Sequence, residues 1–244
     1  MSLITSTQVA QFHALGYFIT KPAFTEPELH TIRTEFERLH EDAIRQAEQT
    51  DDPKRLDLTR YRPFIGQAHT KSDLLARFVK APIYLEACEK FIGPNADLYY
   101  NQIVIKPPEL GRSFAWHQDS GYTETDPLEY ITCWTAISRT FVENGCIWII
   151  PGSHKQGLQK HTRDEENSEL VASFTGEENA IPVEMAPGQI AIFSSLMLHK
   201  SGANTSGEVR HGYVPQYHHP GVIRVNTGEP FGDRYPVLRN GNPV

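Results

Sequence analysis

Apolar side chains recur at helical spacing along roughly the first third of the chain. Thr5 or Ser6 caps a short helix that carries Val9, Phe12 and Leu15, and Gly16 stops it. Tyr17, Phe18 and Ile19 then read as a short strand. Thr25, with Glu28 at the third position after it, forms a capping-box pattern. It opens a long amphipathic helix whose Leu29, Ile32, Phe36 and Leu39 share one face. The polar run QAEQTDDPKRLDLTRY, residues 46–61, reads as a loop. Helical spacing resumes over residues 72–93 through Leu74, Leu75, Phe78, Leu85 and Phe91.

After Pro94 the texture changes to β-rich runs: 98–105, 131–137, 146–150, 190–193 and 209–217. Turn residues bound nearly all of them, among them Gly93-Pro94, Pro107-Pro108, Asn144-Gly145 and Pro187-Gly188. Many short strands with few helices between them predict an antiparallel sandwich or barrel such as a jelly roll. The expected architecture is therefore mainly β with N-terminal helices packed on the barrel. It is read as one domain over 1–244, with a helical part at about 1–93 and a jelly-roll core at about 94–220.

Charge narrows the function classes. With 23 Lys+Arg against 30 Asp+Glu, the formal charge is −7, so the chain lacks the basic balance of a nucleic-acid binder. No stretch approaches the length of a membrane span, and no charged start followed by an apolar run marks an export signal. Cys88, Cys133 and Cys146 are too few and too scattered for a disulfide framework. A reducing, cytoplasmic setting is the expectation. The acidic run Asp164-Glu165-Glu166 and the pair Glu177-Glu178 read as solvated loops.

Candidate chemistry lies in Trp116-His117-Gln118-Asp119. In extended backbone, positions i and i+2 point to one face, so His117 and Asp119 can reach the same ion. A third ligand must come from elsewhere, and His199 supplies an imidazole at the end of the apolar run Leu196-Met197-Leu198. Two histidines and one carboxylate make a facial triad that leaves positions of an octahedral Fe(II) open for a bidentate co-substrate and dioxygen. Arg210 follows His199 across the turn-rich GANTSG, as the return strand of a hairpin would place it. Its guanidinium can pair in fork geometry with a dicarboxylate held on the metal.

Four segments carry a wider resemblance: FHALGYFITKPAFTEPELHTIR, NQIVIKPPELGRSFAWHQDSGY, ENGCIWIIPGSHKQG and APGQIAIFSSLMLHKSGANTSGEVRHGYVPQY. In them the chain resembles the phytanoyl-CoA dioxygenase family of Fe(II)/2-oxoglutarate oxygenases. The resemblance implies a double-stranded β-helix, a cupin-like jelly roll with flanking α-helices. It implies His117, Asp119 and His199 as iron ligands, Arg210 as partner of the distal carboxylate of 2-oxoglutarate, and Ser201 as a further co-substrate contact. Gln102, on the strand where Tyr100, Gln102 and Val104 share a face, and Thr135 on the 131–137 strand are further candidates for reaching the co-substrate.

Fe(II), 2-oxoglutarate and O2 are the expected cofactors and co-substrates, and a small molecule is the expected substrate, hydroxylated with release of succinate. Desaturation, epimerisation, ring closure or halogenation at the same iron centre are the alternatives, as is a non-catalytic metal-binding jelly roll. The carboxylate of Asp119 favours oxygen transfer, because halogenating relatives replace it with a small residue. His154 reads as structural, Trp116, Trp134 and Trp148 as barrel aromatics, and His211, His218 and His219 as neighbours of the site outside the ligand set. Tyr122, Arg112 and Arg224 are candidate substrate contacts.

Overall fold

A computed structural model of the protein describes residues 2–61, 63–108, 112–164, 169–232 and 235–244. Helix α1 (Ser6–Leu15) starts at Thr5, which exchanges hydrogen bonds with Gln8 in a capping box. It ends at Gly16, whose φ of 82° is a left-handed conformation that glycine adopts without penalty. Strand β1 (Tyr17–Ile19) follows, then α2 (Glu26–Glu48), which opens on the expected box between Thr25 and Glu28. Its stripe Leu29, Ile32, Phe36 and Leu39 is buried, each side chain contributing about 1.5–3 kcal/mol on leaving water.

The loop expected over 46–61 is corrected. Helix α2 continues to Glu48, and α3 (Pro53–Tyr61) fills the second half of the segment. The Asp52 carboxylate accepts from the Arg55 amide at 3.0 Å, and Pro53 takes the first helical position, where its missing N–H costs nothing. No α3 residue is buried, so the helix carries no apolar stripe for periodicity to detect. After β2 (Phe64–Gly66), the helical stretch at 72–93 divides into α4 (Asp73–Phe78) and α5 (Pro82–Phe91). The break falls before Pro82, which pushes Ala81 to an extended ψ of 143°.

The remaining strands are β3 (Ala96–Lys106), β4 (Phe114–His117), β5 (Thr125–Asp126), β6 (Ile131–Ala136), β7 (Ile147–Ile149), β8 (Lys160–Asp164), β9 (Glu169–Ser173), β10 (Ile181–Val183), β11 (Ile190–Ser194), β12 (His199–Ser201), β13 (Arg210–His218), β14 (Ile223–Arg224), β15 (Tyr235–Arg239) and β16 (Asn242–Pro243). The major sheet runs β1-β11-β6-β13-β3-β15-β16, with β2 also paired to β3, and the minor sheet runs β10-β7-β12-β4. The pairings in both are antiparallel. Trp134, Ala191 and Val214 of the major sheet pack against Ile147, Ile149 and Val183 of the minor sheet, closing the jelly roll. Strands β1 and β2 come from the helical third and β15 and β16 lie past residue 220, so the barrel draws on more of the chain than the 94–220 core.

Alternation along the strands separates two interiors. On β13, Tyr213 and Tyr217 face the helices, and the Tyr217 hydroxyl donates to the Val79 carbonyl at 2.6 Å. Arg210, Val214 and Gln216 face the minor sheet and line a cavity there. The hydrophobic cluster between helices and major sheet runs from Ile4 to Leu238. The hairpin expected between His199 and Arg210 is also corrected: β12 pairs with β4 and β7, β13 with β3 and β6, so GANTSG crosses from one sheet to the other. The Asn204 side chain holds that corner by donating to the carbonyls of Lys106 and Glu208.

Among the described residues no helix is long and apolar enough to cross a membrane. Cys88, Cys133 and Cys146 are free and buried.

Candidate metal centre and co-substrate pocket

His117 closes β4, Gln118 is extended (φ −119°, ψ 138°), and Asp119 opens a 3-10 turn over Asp119–Gly121. The extended residue between them turns both side chains to one face, as the spacing predicts. Gln118 itself is fully buried and points the other way. Its Nε2 donates to the carbonyls of Gly157 and Leu196, and its Oε1 accepts from the Gln159 amide. That anchor ties the ligand-bearing turn to two neighbouring loops. His199 opens β12 directly opposite His117 in the antiparallel register.

The Nε2 atoms of His117 and His199 stand 3.8 and 3.7 Å from Asp119 Oδ1. One ligand atom from each of the three residues lies within 4.8 Å of the others, and all three residues are buried. His117 Nδ1 donates to the Ala115 carbonyl at 2.8 Å and His199 Nδ1 to the Met197 carbonyl at 2.9 Å. These bonds fix the tautomer that leaves both Nε2 lone pairs directed at the shared position. Asp119 Oδ2 accepts from Thr132 Oγ1 at 2.6 Å and Gln216 Nε2 at 2.9 Å. Two imidazole nitrogens and one carboxylate oxygen, converging with their outer atoms already bonded, suit a first-row divalent ion such as Fe(II).

Arg210 lies in the same cavity, only 1% exposed. One terminal nitrogen donates to the Gly145 carbonyl, and the guanidinium carbon sits 5.1 Å from the centre of the Trp134 ring. Its Nε has no hydrogen-bond partner among the described residues. Burial pulls the guanidinium pKa down to about 9, with the nearby Cys146 thiol opposing this weakly. A buried cation with an open N–H and, among the described residues, no acidic side chain paired to it is suited to an incoming carboxylate.

Ser201 and Gln102 also line this cavity, as do Tyr100 and Val104, which share the inner face of β3 with Gln102. Thr135 does not. It sits on the helix-facing side of β6, where its hydroxyl is 2.7 Å from that of Tyr84. Thr132 and Trp134 occupy the inner face of the same strand, and their parity excludes Thr135. The co-substrate role expected for Thr135 is therefore corrected.

The cavity has a volume of about 740 Å³ and opens past Arg55, Leu58, Phe64 and Lys71 of the α3, β2 and α4-preceding segments. Among the described residues that line it, Asp119 is the one carboxylate, against the cations Arg55, Lys71, Lys200 and Arg210. Lys200 is held by Glu177 at 2.7 Å and lies over the Trp116 ring. Arg55 and Lys71 make no ion pair among the described residues. An acidic protein thus turns a cationic wall towards this space.

Sequence reasoning missed Thr132, Gln216, Arg55 and Lys71. The first two follow from parity once Trp134 and Arg210 are placed inside, since 132 and 134, and 210 and 216, share faces. Trp134, read as a barrel aromatic, also carries Arg210. Tyr122 lines the cavity with its ring 5.9 Å from that of His117. Arg112 instead pairs with Asp57 at 3.1 Å, and Arg224 lies over Phe231, both outside the lining set. His154 sits in the 3-10 turn Ser153–Gln156 beside Gly16, as a structural residue would. His211 faces the helices and bonds Glu37, and His218 packs beside Tyr99 and Phe231. Glu165 and Glu166 lie outside the described residues.

Comparison with known proteins bears on the fold and the family. The chain is 30% identical over 159 residues to phytanoyl-CoA dioxygenase domain-containing protein 1 of Danio rerio, covering 62% of this chain and 55% of that protein. It is 25% identical over 243 residues to a probable phytanoyl-CoA dioxygenase of Caenorhabditis elegans, covering 91% of this chain and 78% of the relative. The fold superposes on EvdO2 from Micromonospora carbonacea var. aurantiaca, solved with 2-oxoglutarate, with a TM-score of 0.74 at 19% identity, over 93% of this chain and 96% of that one. The family model for phytanoyl-CoA dioxygenase (PhyH) matches residues 12–212, and with the match extending over most of its length the chain belongs to the phytanoyl-CoA dioxygenase family of Fe(II)/2-oxoglutarate-dependent oxygenases.

Proposed function

We propose that this chain is a non-haem Fe(II)/2-oxoglutarate-dependent dioxygenase that hydroxylates an unactivated C–H bond of a small metabolite or natural-product intermediate, releasing succinate and carbon dioxide. The carrying observation is one cavity that holds both a convergent His-Asp-His donor set and a buried arginine with an open N–H. His117, Asp119 and His199 hold the metal, which with 2-oxoglutarate as reductant supplies the activation of dioxygen. Arg210 binds the distal carboxylate of the co-substrate, and Ser201 and Gln102 lie on the same walls to orient it.

The protein's own contribution is positioning and exclusion of water. Trp134, Phe193 and Val214 make the inner walls apolar, while Tyr130 presents a buried phenol and Tyr99 and Tyr100 half-buried ones, raised in pKa by burial and so held protonated at neutral pH. The cationic rim at Arg55 and Lys71 favours a substrate that carries negative charge. The carboxylate of Asp119 fills the position a halide would need, which favours hydroxylation over halogenation. One hydrophobic cluster joins the helices to the barrel, in keeping with a single dioxygenase domain over 1–244. Three free thiols fit a reducing cytoplasm.

The test is anaerobic titration of the Fe(II)-loaded protein with 2-oxoglutarate, followed by the visible charge-transfer band of a chelated co-substrate. The band is expected in the wild type, absent in His199→Ala and weakened in Arg210→Ala. Iron binding with no band in the wild type rejects the dioxygenase reading.

A further inference from the structure

Asp119 presents its two oxygens to different neighbours. Oδ1 faces the imidazole nitrogens of His117 and His199, while Oδ2 takes hydrogen bonds from Thr132 and Gln216. A carboxylate oxygen has two lone-pair sites, so these two donors use the capacity of Oδ2. Thr132 and Gln216 are direct cross-strand partners on β6 and β13, and Gln216 Nε2 also lies 3.2 Å from Thr132 Oγ1. Sheet register therefore holds the donor pair together, and both residues are buried. Each shares its strand's inner face with an apolar residue, Thr132 with Trp134 and Gln216 with Val214.

We infer that Thr132 and Gln216 are positioning residues that restrict Asp119 to coordination through Oδ1 alone. The inference rests on the iron-centre reading above. A carboxylate free to rotate can bind a metal through both oxygens and take a second coordination position. Here such a rotation would break two charge-assisted hydrogen bonds in a buried site, and the neutral contact from Gln216 Nε2 to Thr132 Oγ1 would not replace them. The pair thereby keeps open a position that a two-point co-substrate needs. Its effect is on how many sites stay free, and so differs from a general contribution to folding.

Two equilibrium constants measured on the whole protein separate these roles. Thr132→Val removes the hydroxyl at nearly constant shape, Gln216→Met removes the amide donor, and Thr132→Ser restores a hydroxyl. Affinity for Co(II) and then for 2-oxoglutarate on the Co(II) form are read by visible absorption, whose intensity also reports coordination number, and no turnover is needed. In Thr132→Val and Gln216→Met, Co(II) affinity stays at or above the wild-type value while 2-oxoglutarate affinity falls about tenfold or more. Thr132→Ser returns it. Loss of Co(II) and 2-oxoglutarate affinity in parallel, or unchanged values for both, overturns the inference. A wild type that binds Co(II) and no 2-oxoglutarate overturns the function proposed above, and this inference with it.

Discussion

A β-carbon on Gly212 would stand 2.6 Å from Cζ2 of Trp134. That approach lets the indole lie flat against β13, where its ring carries the Arg210 guanidinium at 5.1 Å. Gly212→Ala therefore moves Trp134 and withdraws the support of Arg210. Overpacking of this kind costs about 1–3 kcal/mol. The expected result is a lowered melting temperature together with a raised Kd for 2-oxoglutarate, while metal affinity is little changed. Unchanged co-substrate affinity would separate Trp134 from the arginine site.

Arg210 holds its charge through the working pH range. Burial lowers its pKa, yet a guanidinium keeps its proton, so affinity for the dicarboxylate is expected to stay flat from neutral to mildly alkaline pH, as calorimetric titration with 2-oxoglutarate reads. Arg210→Lys does not restore the wild-type affinity at pH 7, because one ammonium cannot both bond the Gly145 carbonyl and offer a planar fork to a carboxylate.

Gln118 shows how the ligand turn is kept in place. Gln118→Ala leaves the buried carbonyl of Leu196 and the partly buried amide of Gln159 without this partner, at about 1–3 kcal/mol for the first and less for the second. Since His117 and Asp119 flank it, metal affinity falls along with the melting temperature. Parallel thermal melts and metal titrations check both, and a variant that melts early but binds metal normally would show that the turn holds its shape without this anchor.

What the sequence made legible follows from where the apolar pattern is strong. The α2 stripe and the β3 and β13 runs are visible because each buries one face or both, whereas α3 buries none and left only its Asp52-Pro53 start as a signal. The metal ligands stand out because their residue types are chemically specific and their spacing suits extended backbone. Thr132 and Gln216 do not, since either residue type is common and only the β6–β13 register brings them to Asp119. Thr135 failed for a related reason: both faces of β6 are buried, so burial could not show which was the inner one. The rim cations depend on how α3 packs along α2 beside the cavity and on the turn before α4, packing relationships without a local sequence mark.

Charge at the rim predicts which molecules turn over. In a screen that follows succinate release, the compounds that stimulate it carry a carboxylate or phosphate group. Arg55→Ala combined with Lys71→Ala raises their KM by about tenfold, the worth of one charge-assisted contact, and leaves kcat nearly unchanged. Added salt weakens the wild type towards the double variant, because exposed charges are screened. Neutral compounds that are turned over equally well by both proteins would reject the charge assignment.

Glu37 and His211 provide a pH-dependent tie between α2 and the strand that bears Arg210. The His211 ring donates to the Glu37 carboxylate, and this bond holds the carboxyl below its usual range despite partial burial. A carboxyl with a lowered folded pKa adds stability that is present above its unfolded value and lost as pH falls through the folded one. Glu37 is about half exposed, so solvent screening limits the gain to about 0.5–1 kcal/mol. Glu37→Gln is therefore less stable than the wild type by that amount near pH 6–7, and the two converge as acid protonates Glu37 in the folded state. Urea unfolding at a series of pH values measures the gap, and a difference that persists undiminished in acid would assign the loss to packing instead of the hydrogen bond between His211 and Glu37.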